Sequence, residues 1–463
     1  MKERKFLVFP LPKFGTSVVM GIADFALATL YIVGYQITPF LVGLALALGK
    51  ITIAGSQFFF GWVSDQRYAS DWGRRKPYLL ILSPILAVSI IFLLMPSLII
   101  PLDNLFIVFI WLLVWYQIFN ISYGVTTPYE SWMAEQFTVD QRPKAAQYLN
   151  ILSMAGTGVM AIFSMLVLTQ FTDKIKLNPE VIPGEFLYSV LAFSIILVVL
   201  FYIAVFLMPT ESYHEIKTTM VERLKIVLKN RNYLLVNVMV GIASLAWSMI
   251  GSLILLFLEK VLQFDTMFYI VTAAAYLLGI LVFLYIWRKL ITDKGKKTTL
   301  LYVFLLAIIT LPFSLLGAFR GGFLVIYGIL FVLGIAAAMG GWFLFPSILM
   351  ADLAEDDQKK TGELKAGIYK GFPSIILNIF QAVGLLLMGF ILELPKISVG
   401  PTTYSFGLNV FRLGEFSFRF PSIFVDTANI SMGYVLWGPI CSVILIGAYF
   451  FAKKFIIVDF EWE

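Results

Sequence analysis

The chain has 463 residues, of which 60% are hydrophobic and only 13% charged, and its formal net charge is +6. A soluble enzyme or binding module cannot bury that much apolar surface, so the composition excludes that class and implies a bundle of membrane-spanning helices. A single cysteine, Cys441, and a single histidine, His214, exclude an intramolecular disulfide and give no pattern for a metal or other cofactor, so none is expected.

A bilayer is crossed by roughly 20 consecutive apolar residues. Twelve segments of about that length are predicted in chain order: 14–36, 39–63, 78–96, 105–127, 147–171, 185–207, 233–258, 266–287, 300–319, 322–349, 371–394 and 432–451. The predicted fold is therefore all-α, with twelve transmembrane helices in two six-helix pseudo-repeats. Residues 1–209 form the first bundle, 210–231 a linker with a surface helix, and 232–463 the second bundle. Repetition is written into the residues: Met133-Ala134-Glu135, four residues, then Asp140-Gln141-Arg142 is answered by Met350-Ala351-Asp352, four residues, then Asp357-Gln358-Lys359. A weaker echo pairs Asp71-Trp72-Gly73-Arg74-Arg75-Lys76 with Asp293-Lys294-Gly295-Lys296-Lys297. Two parallel halves are the layout of carriers whose solute site lies near the bilayer midplane.

Lysine and arginine favour the cytoplasmic side of a membrane. They cluster at Lys2, Arg4, Lys5 and Lys13, at Arg67 and Arg74 to Lys76, and at Arg288 to Lys297, so both termini are expected to be cytoplasmic. The excess positive charge is accounted for by topology and anionic headgroups rather than by nucleic acid. The long connection from Pro395 to Ile430 is expected outside, with no binding role assigned to it.

An ionised side chain at the bilayer centre costs about 2.5–3.5 kcal/mol even on lenient insertion scales, so each one needs a reason. Asp24 in the first span and Lys50 in the second lie deep in consecutive helices and are expected to meet. One reading is a buried salt bridge that only fixes the helix contact. The other is a binding site, because a carboxylate accepts two vicinal hydroxyls and a neighbouring lysine donates to the same solute. Polar and aromatic residues at comparable depth extend the second reading: Tyr31, Gln57, Tyr116, Gln117, Asn120 and Asn150 in the first half, and Trp247, Trp342, Asn378 and Gln381 in the second. Sugars offer hydroxyls in plane and C–H faces that stack on rings.

The segment Gly61, Asp65, Arg67, then Gly73-Arg74-Arg75-Lys76-Pro77 carries a glycine turn with carboxylate and guanidinium groups at helix ends. It resembles the signature after the second span of major facilitator transporters, with an insertion before the glycine, and implies a conformational latch. Gly61-Trp62 followed by Ser70-Asp71-Trp72-Gly73-Arg74-Arg75-Lys76-Pro77-Tyr78 is similar to the corresponding loop of the glycoside, pentoside and hexuronide cation symporters, the melibiose permease-like group, with a likeness also to the sucrose symporters. Asp24-Phe25-Ala26 with Tyr31 matches that group's opening helix, whose aspartate binds sugar. The resemblance implies a secondary active transporter, not an enzyme, that imports a sugar or glycoside and functions as a monomer in the plasma membrane. Sodium-coupled members carry aspartates near Ile53, Gln57 and Thr126, and this chain has none there. Proton coupling through Asp24, with Glu130 as a second candidate, is therefore expected in preference to sodium. A carrier of a lipid, drug or organic acid, and an uncoupled sugar uniporter, remain as alternatives.

Overall fold

The structure is a computed structural model. It describes residues 2–138, 141–177, 181–210, 230–264, 266–318, 324–346, 348–350, 352–353, 356, 373–399, 407–413, 416–422 and 428–457. The linker helix expected within 210–231 and most of the second copy of the Met-Ala-acid repeat lie outside these residues.

Eleven helices among the described residues are long and apolar enough to cross a membrane. They are α1 (Arg4–Phe25), α2 (Pro39–Gln66), α3 (Lys76–Leu94), α4 (Leu105–Met133), α5 (Lys144–Ile175), α6 (Gly184–Leu207), α7 (Arg231–Leu262), α8 (Met267–Lys294), α9 (Lys296–Ala318), α11 (Pro373–Leu392) and α12 (Gly433–Phe455). Between α9 and α11 lies a shorter apolar helix, α10 (Ile326–Trp342). The order matches the twelve expected spans. The tenth is shorter than its apolar run of 322–349, because the helix gives way to a turn beyond Trp342.

Outside the helices, four short strands interrupt the connection between α11 and α12. They are β1 (Lys396–Val399), β2 (Gly407–Leu413), β3 (Phe416–Ser422) and β4 (Ala428–Ser431), pairing antiparallel as β1 with β4 and β2 with β3. Alternating apolar and polar residues such as Phe416-Ser417-Phe418-Arg419-Phe420 suit a strand rather than a coil.

Several spans depart from regular α-helix at local features. After Phe25 the first span passes through a π turn over Leu30–Gly34 and ends near Gln36, whose φ is 56°. Similar π turns fall at Phe163–Leu168 in α5 and Leu258–Leu262 in α7. Each widens the helix by one residue and turns the side chains beyond it.

The chain forms two compact units. One comprises residues 1–37, 45–229 and 370–382, the other 38–44, 230–369 and 383–463. The start of α2 joins the second unit because glycines let backbones touch: a Cβ on Gly43 would lie 2.7 Å from the Leu385 carbonyl oxygen, and one on Gly389 3.0 Å from the Phe40 Cα. There Glu393 accepts a hydrogen bond of 2.9 Å from the Phe40 N–H, capping α2 at its positive end. The start of α11 joins the first unit, where Ser374 donates to Gln57.

Each unit closes one end of its bundle with the same construction, as the repeats foretell. In the first, Gly73 takes a left-handed φ of 73°, Arg75 ion-pairs with Glu135 at 2.8 Å, and Lys76 donates to the Met208 carbonyl at the end of α6 at 2.8 Å. In the second, Gly295 has φ 83°, Lys296 pairs with Asp352 at 2.7 Å, and Lys297 donates to the Ile456 carbonyl at the end of α12 at 2.7 Å. Glycine is required at both turns because other residues are strained at positive φ. Lysine at a helix C-terminus satisfies a carbonyl that the helix leaves open and complements its dipole.

Candidate functional site

Asp24 lies near the end of α1 and Lys50 in the middle of α2. Lys50 donates to the Asp24 carboxylate at 2.7 Å, with the lysine side chain 4% exposed and the aspartate 43% exposed. The pair is therefore lopsided. Lys50 is sequestered and satisfied, whereas Asp24 keeps open surface able to accept further donors.

The wall beside the pair is built by α2 against α4. Gly49 makes this possible, since a Cβ there would fall 2.0 Å from the Tyr116 ring and 2.6 Å from the Asn120 amide nitrogen. Tyr116 and Asn120 are consequently buried, and Asp24 acts electrostatically on the Tyr116 hydroxyl. Asn120 donates from Nδ2 to the Tyr116 carbonyl at 2.7 Å, while its Oδ1 is buried with no hydrogen-bond partner among the described residues. Thr52 donates to the side-chain oxygen of Gln117, whose Nε2 is likewise buried without a partner among the described residues.

Lys50 and Gln57 are two helical turns apart on one face of α2. Gln57 donates from Nε2 to Thr126 at 3.2 Å and accepts from Ser374. Asn378, one turn along α11, donates to the Ser374 carbonyl at 2.7 Å. The first unit thus joins Lys50 and Asp24 to an uncharged polar ladder drawn from α2, α4 and α11. Gln381, one turn beyond Asn378, is half-buried.

Within the first unit, Tyr31 and Asn150 are placed away from the Asp24–Lys50 pair. Tyr31 is fully buried and its hydroxyl donates to the Leu93 carbonyl at 2.7 Å, which ties it to the end of α3. Asn150 is exposed. In the second unit Trp342 stacks on Trp247 with ring centroids 6.1 Å apart and an interplanar angle of 21°.

Glu130 makes an ion pair with Lys13 of α1 at 2.7 Å. Lys13 reads in the sequence as one more basic terminal residue, and its role here is a contact between α1 and α4. Only its place on the same helix as Asp24, eleven residues earlier, hints at it.

At the end of the first unit, Arg75 is the hub of the expected latch. It donates to Asp65 at 2.6 Å, to Glu135 at 2.8 Å and to Ser64 at 2.7 Å. Burial opposes its charge, but Asp65 and Glu135 outweigh that cost and hold its pKa above the usual arginine value. Arg74 is buried with its Nε 3.8 Å from Glu135, whereas Arg67 is exposed. Gly61 sits where a Cβ would lie 2.9 Å from Thr127, so glycine lets α2 approach α4. Ser64 and Glu135 were missed as latch members, although the repeated Met-Ala-acid pattern marks Glu135.

Solved structures share this architecture. A D-xylose-proton symporter superposes with TM-score 0.64 at 14% identity, covering 98% of this chain and 97% of that one. The xylose transporter XylE from E. coli in an inward-open conformation gives TM-score 0.60 at 14% identity, with 98% and 95% covered. A mutant of the nucleoside transporter NupG gives 0.62 at 14% identity, with 97% and 98% covered. Among proteins of curated function, none matches this chain. A family profile described as MFS/sugar transport protein matches residues 8–413, nearly the whole chain. With its membrane helices in two repeated sets, this integral membrane protein belongs to the MFS/sugar transport protein family.

Proposed function

We propose that this protein is a secondary active carrier that imports a sugar or glycoside across the plasma membrane by alternating access, coupled to protons, with both termini cytoplasmic. The observation that carries the reading is the Asp24–Lys50 pair: a sequestered lysine holds a carboxylate that is still 43% exposed inside a membrane helix bundle. A partly exposed carboxylate accepts vicinal hydroxyls, and the ladder from Gln57 to Asn378 supplies uncharged donors and acceptors close by. The sugar-transport family and the xylose carriers among its structural relatives agree with that chemistry.

Protons are favoured over sodium by what fills the remaining polar positions. Gln57 and Thr126, where sodium-coupled symporters carry aspartates, are an amide and a hydroxyl bonded to each other at 3.2 Å. Neither supplies the carboxylate that the sodium-coupled members carry there. Asp24, with Glu130 as a second acceptor, would carry the proton.

A thermal-shift screen of mono-, di- and oligosaccharides tests the binding half. At least one sugar should raise the melting temperature of the wild type in detergent and leave that of Asp24→Asn unmoved. A panel without effect on the wild type, together with stabilisation by lipids or organic acids, would overturn the sugar reading.

A further inference from the structure

Two ion pairs tie membrane helices of the first unit together. Asp24 holds Lys50 at 2.7 Å, and Glu130 holds Lys13 at 2.7 Å. Each matches one acid with one base. The neighbouring polar groups, Gln57, Thr126, Ser374, Asn378, Asn120 and Gln117, are all uncharged.

An anionic solute would meet this arrangement at a disadvantage on three counts. It loses hydration on entering, and Lys50 and Lys13 are each already bound to a carboxylate. To gain Lys50 it must displace Asp24, leaving that carboxylate unpaired beside a second negative charge. A carboxylate also brings acceptors only, and the Asp24 carboxylate is itself an acceptor. A hydroxyl meets none of these objections. It donates to the exposed face of Asp24 while the Lys50 bond stays closed.

We propose, resting on the sugar-carrier reading above, that the site selects uncharged glycosides and rejects the corresponding uronates, in which the primary CH2OH is replaced by a carboxylate. The selectivity comes from the closed Asp24–Lys50 pair. Opening the pair from the acid side should therefore relax it, because Lys50 would then be a free cation.

The test is uptake into proteoliposomes of matched p-nitrophenyl glycosides and glycosiduronates that differ only at that carbon. Wild-type protein should take up at least one glycoside and prefer it tenfold or more over its uronate. In binding assays, Asp24→Asn should shift the ratio toward the uronate, and Glu130→Gln, which frees Lys13 at a different place, should shift it less. Wild-type uptake of the uronate at a rate equal to or above the glycoside would overturn the proposal and leave the sugar reading standing. Entry of neither class by any member of the panel would overturn both.

Discussion

Asp24 and Lys50 contribute unequally, and their substitutions separate binding from stability. Asp24→Asn strands a lysine that is only 4% exposed. Breaking a fully buried pair costs about 3–5 kcal/mol; the hydration of Asp24 reduces that here to about 1–3 kcal/mol. Adding Lys50→Met should recover part of that loss, so chemical denaturation should rank the double variant above Asp24→Asn alone. Equal stability of both variants and the wild type would remove the pair as a stabilising contact. Both variants should still lack glycoside binding, because the carboxylate that accepts the hydroxyls is gone. Glycines on α2 offer a second contrast. Gly49→Ala pushes a methyl into the Tyr116 ring and should cost about 1–3 kcal/mol with loss of uptake. Gly55→Ala meets nothing within 4 Å and should be neutral or stabilising by up to about 1 kcal/mol. Melting temperatures of the two variants side by side would check the packing account, and equal losses would count against it.

Among the elements, the turn between α2 and α3 has one arginine serving three partners, which makes its geometry as important as its charge. Lys cannot reproduce the forked contact of Arg75 with Asp65, Glu135 and Ser64. Arg75→Lys should therefore slow turnover, and Arg75→Ala should slow it further, with solute affinity changed less than about twofold in either. A large affinity loss in flux assays would argue that Arg75 belongs to the binding site instead of a latch. Because its folded pKa is raised above the unfolded value, its contribution would vanish only as pH climbs through that raised value. Between about pH 5 and 9 the guanidinium stays charged, so pH dependence of the latch in that window must arise elsewhere.

The twelve spans were legible because uninterrupted apolar runs are set by bilayer thickness, and Asp24 and Lys50 were legible because charges inside such runs are expensive. The pairing of Lys13 with Glu130 was not: each sits near the end of an apolar run, where charge is cheap, and only the approach of α1 to α4 brings them together. Tyr31 illustrates the same limit, since an aromatic side chain in a membrane helix can line a site or tie two helices, and here it bonds the end of α3. The strands between α11 and α12 were hidden by prolines and glycines that read as loop. The partnership of Gln57 with Ser374 joins residues 317 apart in the sequence, and no local pattern announces it.

For the whole molecule, the repeated turn suggests that each unit moves as a body stiffened at one end, by Arg75 and Lys76 in one and Lys296 and Lys297 in the other. Lys296→Ala should then mirror Arg75→Ala in kind, slowing turnover while sparing binding, but more weakly, because an ammonium lacks the forked contact of a guanidinium. Equal-sized losses of affinity from both would break the analogy. Transport itself is read in proteoliposomes loaded at alkaline pH and diluted into acidic medium. Labelled glycoside should accumulate above its external concentration under the proton gradient, not under a sodium gradient, and not with Asp24→Asn. Accumulation driven by sodium alone, or undiminished in the Asp24→Asn variant, would contradict the account.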